Sequence, residues 1–215
     1  LAKIDFSYAK DLFNLGMVFF IIQVAGIIQF QTANIIIARH FGTAEVTSYN
    51  VVFRYFGITN MVFTVFLNPF WSASTEAYLK NELQWIRNGI RKYNFLNLGL
   101  VVIGVLMLLF ADKVYDLWLG KDKVNISFWL SFWAFIYFNV TIFGGKYVSF
   151  LNGISALRIQ LWACIFSPFL YVATALVLIN YFHYGVYALF IASVIANFNS
   201  YLIAPLQYYK IIVKG

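Results

Sequence analysis

The chain predicts an all-α fold, a polytopic membrane protein built as a bundle of six transmembrane helices. Three observations carry that expectation. Only 11% of its 215 residues are charged, against about 25% in ordinary soluble domains. Mean hydropathy is +0.78, and apolar runs of roughly 20 residues recur along the whole length, each able to cross about 30 Å of hydrocarbon. The strict apolar/polar alternation that barrel strands need is missing.

The first span runs from about Leu12 to Arg39 and stops at "HFGT". The second, about Ala44 to Tyr78, is longer than a bilayer requires and is expected to tilt or project. After it, "YLKNELQWIRNGIRKYNF" puts Leu79, Leu83, Ile86 and Ile90 on one helical face, with Lys80, Arg87 and Arg91 off it. That pattern predicts an amphipathic connector, residues 79–92, lying along the cytoplasmic membrane surface and drawn to anionic lipids. The third span, about Tyr93 to Ala111, is followed by "DKVYDLWLGKDKVN", which reads as the longest outer loop. The fourth covers about Ile126 to Asn152, the fifth Leu157 to Tyr181, and the sixth Val186 to Tyr209. Pro69 and Pro168 fall inside spans and predict kinks, while Pro205 lies nearer an end. The whole chain, 1–215, reads as one six-helix lobe. Its opening "LAKIDFSYAKDLF", with neither a start methionine nor a signal-peptide pattern, suggests an excerpt of something longer.

A net charge of +7 could point to nucleic acid, but the basic residues are scattered between membrane segments. They read as topology signals, and no nucleic-acid partner is expected. Lys3, Lys10, Lys80, Arg87, Arg91, Lys92, Arg158, Lys210 and Lys214 fall on one side, nine in all; Arg39, Lys113, Lys121 and Lys123 make four on the other. The richer side is cytoplasmic by the positive-inside rule, which puts both termini there.

On the second span Asn50, Arg54, Gly57, Thr64, Asn68, Ser72 and Thr75 follow steps of three, four and seven. At 100° per residue they stay within about 40° of a single line. Arg54 therefore belongs to a polar stripe, and no acidic residue stands within eight positions of it. The first span aligns Gly16, Gln23 and Asn34, with Gln31 somewhat aside; the fourth aligns Asn139, Lys146 and Gly153; the sixth aligns Ser193, Asn197 and Ser200. Most of these amides and small residues fit helix–helix contacts. A mid-helix cation costs about 2.5–3.5 kcal/mol on insertion scales. Apolar neighbours at about 0.3–0.6 kcal/mol each tolerate Arg54 without explaining it. A water-filled cavity and snorkelling to the outer interface both remain open. Arg54, Lys146, Asn34, Gln23, Asn50 and Asn68 are the candidate binding residues.

The eight acidic residues all fall in loops or near helix ends. His40 and His183 lack ligand spacing, and Cys164 stands alone, so neither a metal, a cofactor nor a disulfide framework is expected. No nucleophile–base pair, phosphate loop or catalytic carboxylate pair is present, and an enzyme is not supported. A cationic, amide-rich interior suits an anionic, hydroxyl-rich substrate.

Gly42, Val46 and Tyr49, then Arg54, then "PFWSASTEAY" and "WI" resemble the polysaccharide-flippase branch of the multidrug/oligosaccharidyl-lipid/polysaccharide exporter superfamily. The resemblance extends over all six spans. It implies the second lobe of a two-lobed transporter of twelve or more helices, with a missing N-terminal lobe, both termini cytoplasmic and a cationic central cavity. The implied activity is flipping of undecaprenyl-pyrophosphate-linked O-antigen or capsule units across the bacterial cytoplasmic membrane. The implied partners are that lipid-linked oligosaccharide, membrane lipids and other polysaccharide-assembly proteins. By position, the pyrophosphate-contacting role carries over to Arg54, and more loosely to Lys146 and Asn34. Two alternatives stay open: a cation-coupled multidrug exporter, which favours acidic cavity residues, and a membrane-embedded assembly enzyme, which needs a sizeable outer loop.

Overall fold

The computed structural model describes residues 7–120 and 125–212, with side chains from Phe13 onward. Lys3, Lys121, Lys123, Lys214 and the side chain of Lys10, used in the orientation count, lie outside the described residues. Eight α-helices follow in order: α1 (Ser7–His40), α2 (Thr43–Leu79), α3 (Leu83–Leu109), α4 (Ala111–Leu119), α5 (Phe128–Gly153), α6 (Arg158–Asn180), α7 (Ala188–Ala196) and α8 (Ala204–Ile212). Among the described residues five are long and apolar enough to span a bilayer, and α7 with α8, bent by 42°, passes the same test as a pair. The protein is a helical membrane bundle, and the six expected spans are present.

Cross-helix contacts set the weave. Asn50 on α2 meets Asn34 on α1, and the Trp71 ring lies 5.9 Å from that of Phe19, so these helices run antiparallel. Tyr93 donates to the Phe66 carbonyl and Tyr55 to that of Met107, which makes α3 antiparallel to α2. Arg87 at the start of α3 donates to the Ile212 carbonyl at the end of α8, at 2.6 Å. The end of α2, the start of α3 and the end of α8 therefore lie at one end of the bundle.

α2 and α5 form the centre. The inward face of α2 carries Val52, Phe56, Thr59, Phe63, Phe70 and Ser74, a 3–4 spacing that keeps one stripe facing a neighbour. On α5, Gly144 lies against the Ser200 backbone so closely that a Cβ would collide with it. Small residues of this kind let membrane helices approach where apolar burial gives little drive.

The sixth span breaks where α5 presses on it. A π-turn, Asn199–Ile203, links α7 to α8, and the Ala204 amide reaches back to the Asn199 carbonyl. The next residue, Pro205, has no amide hydrogen and cannot continue an unbroken ladder. π-turns insert one extra residue and bend a helix. The proline expected to matter least therefore sits beside the clearest bend, whereas Pro69 and Pro168 lie within uninterrupted helices.

The connector expected at 79–92 is not a separate surface helix. Only residues 80–82 link α2 to α3, and the amphipathic stretch is the beginning of α3 itself. Ile86 and Ile90 belong to one buried cluster with Phe70, Ala77, Phe150, Tyr208 and Ile212, while Leu79 is exposed. Of its apolar face, Ile86 and Ile90 meet protein. A short amphipathic helix forms instead at α4, in the segment expected as outer loop. There Tyr115 is hydrogen-bonded to Ser131, and Leu117 and Trp118 are exposed.

Candidate functional site

The polar stripe of α2 turns away from the core of this bundle. Arg54, Thr64, Asn68 and Ser72 are exposed, Asn50 and Thr75 half-buried, and Gly57 sits against the Phe138 ring of α5. The stripe's hydroxyls are satisfied locally, Thr64 donating to Asn60 and Thr75 to Trp71 of the same helix. Among the described residues Arg54 makes no hydrogen bond, and the one ion pair is Lys80–Glu76.

Asn34 and Asn50, expected on separate helices, are brought together. The Asn50 amide donates to Asn34 Oδ1 at 2.9 Å and to the Val46 carbonyl at 2.8 Å. The pair joins α1 to α2 one turn from Arg54, which fits the helix-joining role of such amides.

Gln23 lines a cavity of about 520 Å³ between α1, α2, α5, α6 and α7. Gln29, Gln31, Tyr49, Tyr137, Tyr171 and Asn197 also face it. Tyr49 stacks on Phe190 at 4.6 Å, which fixes one wall. Tyr171 is 1% exposed, and among the described residues its hydroxyl has no hydrogen-bond partner. A buried, unsatisfied phenol costs about 1–3 kcal/mol, so its place at a polar cavity is notable. A second cavity of about 350 Å³ shares Tyr137 and Asn197 and adds Thr141, Gln160 and Ser200. The described lining is neutral throughout: amides and hydroxyls set among aromatic rings.

Lys146 stands elsewhere. It is 0% exposed, held between α3 and α5. With its amide oxygen turned towards the lysine, Asn97 accepts from Nζ at 2.7 Å. The Phe143 and Tyr147 rings lie 4.3 and 5.0 Å from Nζ. One amide and two aromatic faces hold this cation. Among the described residues no three metal-ligating side chains cluster.

Sequence reasoning passed over Gln29 and the three cavity tyrosines. Tyrosines in apolar spans resemble core residues, and only contact between helices distinguishes them. The crowding of Gln23, Gln29 and Gln31 within "IIQVAGIIQFQ" was a usable signal.

Over 166 residues the chain is 25% identical to a Salmonella typhi protein described as "Putative O-antigen transporter", a match covering 75% of this chain and 37% of that protein. Over 151 residues it is 26% identical to a protein of Salmonella typhimurium strain LT2 with the same description, covering 67% and 34%. The chain therefore spans about a third of the length of the curated relatives it matches. These similarities agree with the resemblance to polysaccharide flippases carried by Arg54 and "PFWSASTEAY". No family model and no solved structure matches the chain.

Proposed function

We propose that this chain is part of a transporter that carries lipid-linked polysaccharide units across the bacterial cytoplasmic membrane, and that Arg54 meets the substrate's diphosphate. The observation that carries the reading is the placement of Arg54: an exposed guanidinium on a polar stripe, without a partner among the described residues. In the two-lobed arrangement that the resemblance implies, a polar stripe facing away from one lobe's core suits the hydrated space between lobes better than a lipid-facing surface. A guanidinium offers a planar fork that grips phosphate oxygens bidentately, which an ammonium does not.

The neutral cavity supports the other half of the substrate. Sugar hydroxyls both donate and accept, and Gln23, Gln29 and Asn197 offer both functions beside aromatic faces. Lys146, spent on Asn97 and its rings, plays no part in substrate contact. Both termini face the cytoplasm in this reading, and an undecaprenyl pyrophosphate is the anchor.

Complementation of a surface-polysaccharide export mutant by the full-length protein tests it. Arg54→Ala should abolish export at near-normal membrane abundance, and Arg54→Lys should keep only a fraction, since the charge stays and the fork is lost. Normal export by Arg54→Ala would overturn the reading.

A further inference from the structure

We infer that the groove between α2 and the start of α3 is a binding site for one anionic phospholipid, distinct from any path taken by transported substrate. The groove encloses about 650 Å³, the size class of a true ligand site. Its floor is Phe70, whose ring lies 6.2 Å from Trp85 and 4.9 Å from Tyr93. Gly89 makes this floor possible, because a Cβ there would stand 2.7 Å from the Phe70 ring. Phe66 and Pro69 of α2 and Phe95 and Leu96 of α3 supply apolar walls for the upper part of an acyl chain.

Arg91 and Lys92 line the same groove, with Asn88 beside them. Both cations are exposed, and neither forms an ion pair among the described residues. Apolar walls below two free cations complement a molecule with hydrocarbon at one end and a phosphate at the other. The partly exposed Trp85 and the Tyr93 hydroxyl, bonded to the Phe66 carbonyl at 2.6 Å, mark the level where tail meets headgroup. A zwitterionic headgroup brings its own cation against Arg91 and Lys92, so the site selects net negative charge. The basic-residue bias puts this groove in the cytoplasmic leaflet, where anionic headgroups draw juxtamembrane basic residues.

The test uses the full-length protein in nanodiscs containing phosphatidylglycerol and phosphatidylcholine, with retained lipid counted by native mass spectrometry. The wild type should keep one phosphatidylglycerol. Arg91→Gln/Lys92→Gln should weaken its retention by about five-fold per charge removed, while Arg158→Gln/Lys210→Gln, equally basic but outside the groove, should not. Ala73→Phe leaves every charge in place and fills the groove, and it should also release the lipid. Equal retention of phosphatidylcholine, or full retention by Ala73→Phe, would overturn the inference: the first removes the selectivity, the second the groove. Retention of a lipid-linked diphosphate in place of phosphatidylglycerol would overturn it too, making the groove part of the substrate path.

Discussion

Arg54 and Lys146 carry the same signal in sequence, one cation inside an apolar helix, and they end in opposite surroundings. Lys146 is sealed between α3 and α5, satisfied by the Asn97 amide and two aromatic faces. Arg54 is exposed on α2 and bonded to nothing among the described residues. A buried cation with its partners supplied is a structural element, whereas one left open is available to a ligand. Both helices pay the insertion cost, but only for Lys146 does the fold itself offset it.

Three substitutions can break that contrast. Lys146→Ala should have the largest effect, about 2–5 kcal/mol of lost stability, because it empties a filled site. Thermal unfolding in detergent should show it, with Arg54→Ala within about 0.5 kcal/mol of wild type, as surface substitutions usually are. Equal losses would erase the distinction. Asn97→Leu should follow at about 1–3 kcal/mol, since it strands the ammonium without its acceptor. Combining it with Lys146→Met should recover part of that loss, and strict additivity would show that the two side chains do not interact. Lys146→Met alone keeps the stem's volume and removes the charge, and should cost less than Lys146→Ala, about 1–3 kcal/mol for the Asn97 oxygen left without its donor. Export should survive it, and a stable but inactive Lys146→Met would move Lys146 into the substrate path.

The sequence revealed which residues share a helix face but not what that face meets. Periodicity grouped Asn50, Arg54, Asn68 and Ser72 correctly, because helical spacing is a local property. Whether the stripe pointed into the bundle or away from it depended on how α2 packs against α5. The surroundings of Lys146 were hidden for the same reason, since its acceptor Asn97 comes from a different helix. The amphipathic start of α3 looked like a membrane-surface segment because lipid and protein satisfy Ile86 and Ile90 equally well. The spans were legible within a few residues, apart from the start of α3. The break in the sixth was not, because it depends on the approach of Gly144 to Ser200.

Exposure on an isolated lobe does not separate water from lipid, and on that difference the role of Arg54 depends. Thiol labelling by a membrane-impermeant maleimide measures it directly, because maleimides react with hydrated thiolates. In a Cys164→Ala background of the full-length protein, Arg54→Cys and Asn68→Cys should label readily. Ser149→Cys, buried on α5, and Leu98→Cys, 62% exposed on an apolar face of α3, should both label slowly. If positions 54 and 68 react no faster than position 98, the stripe faces hydrocarbon and Arg54 does not meet a substrate in water.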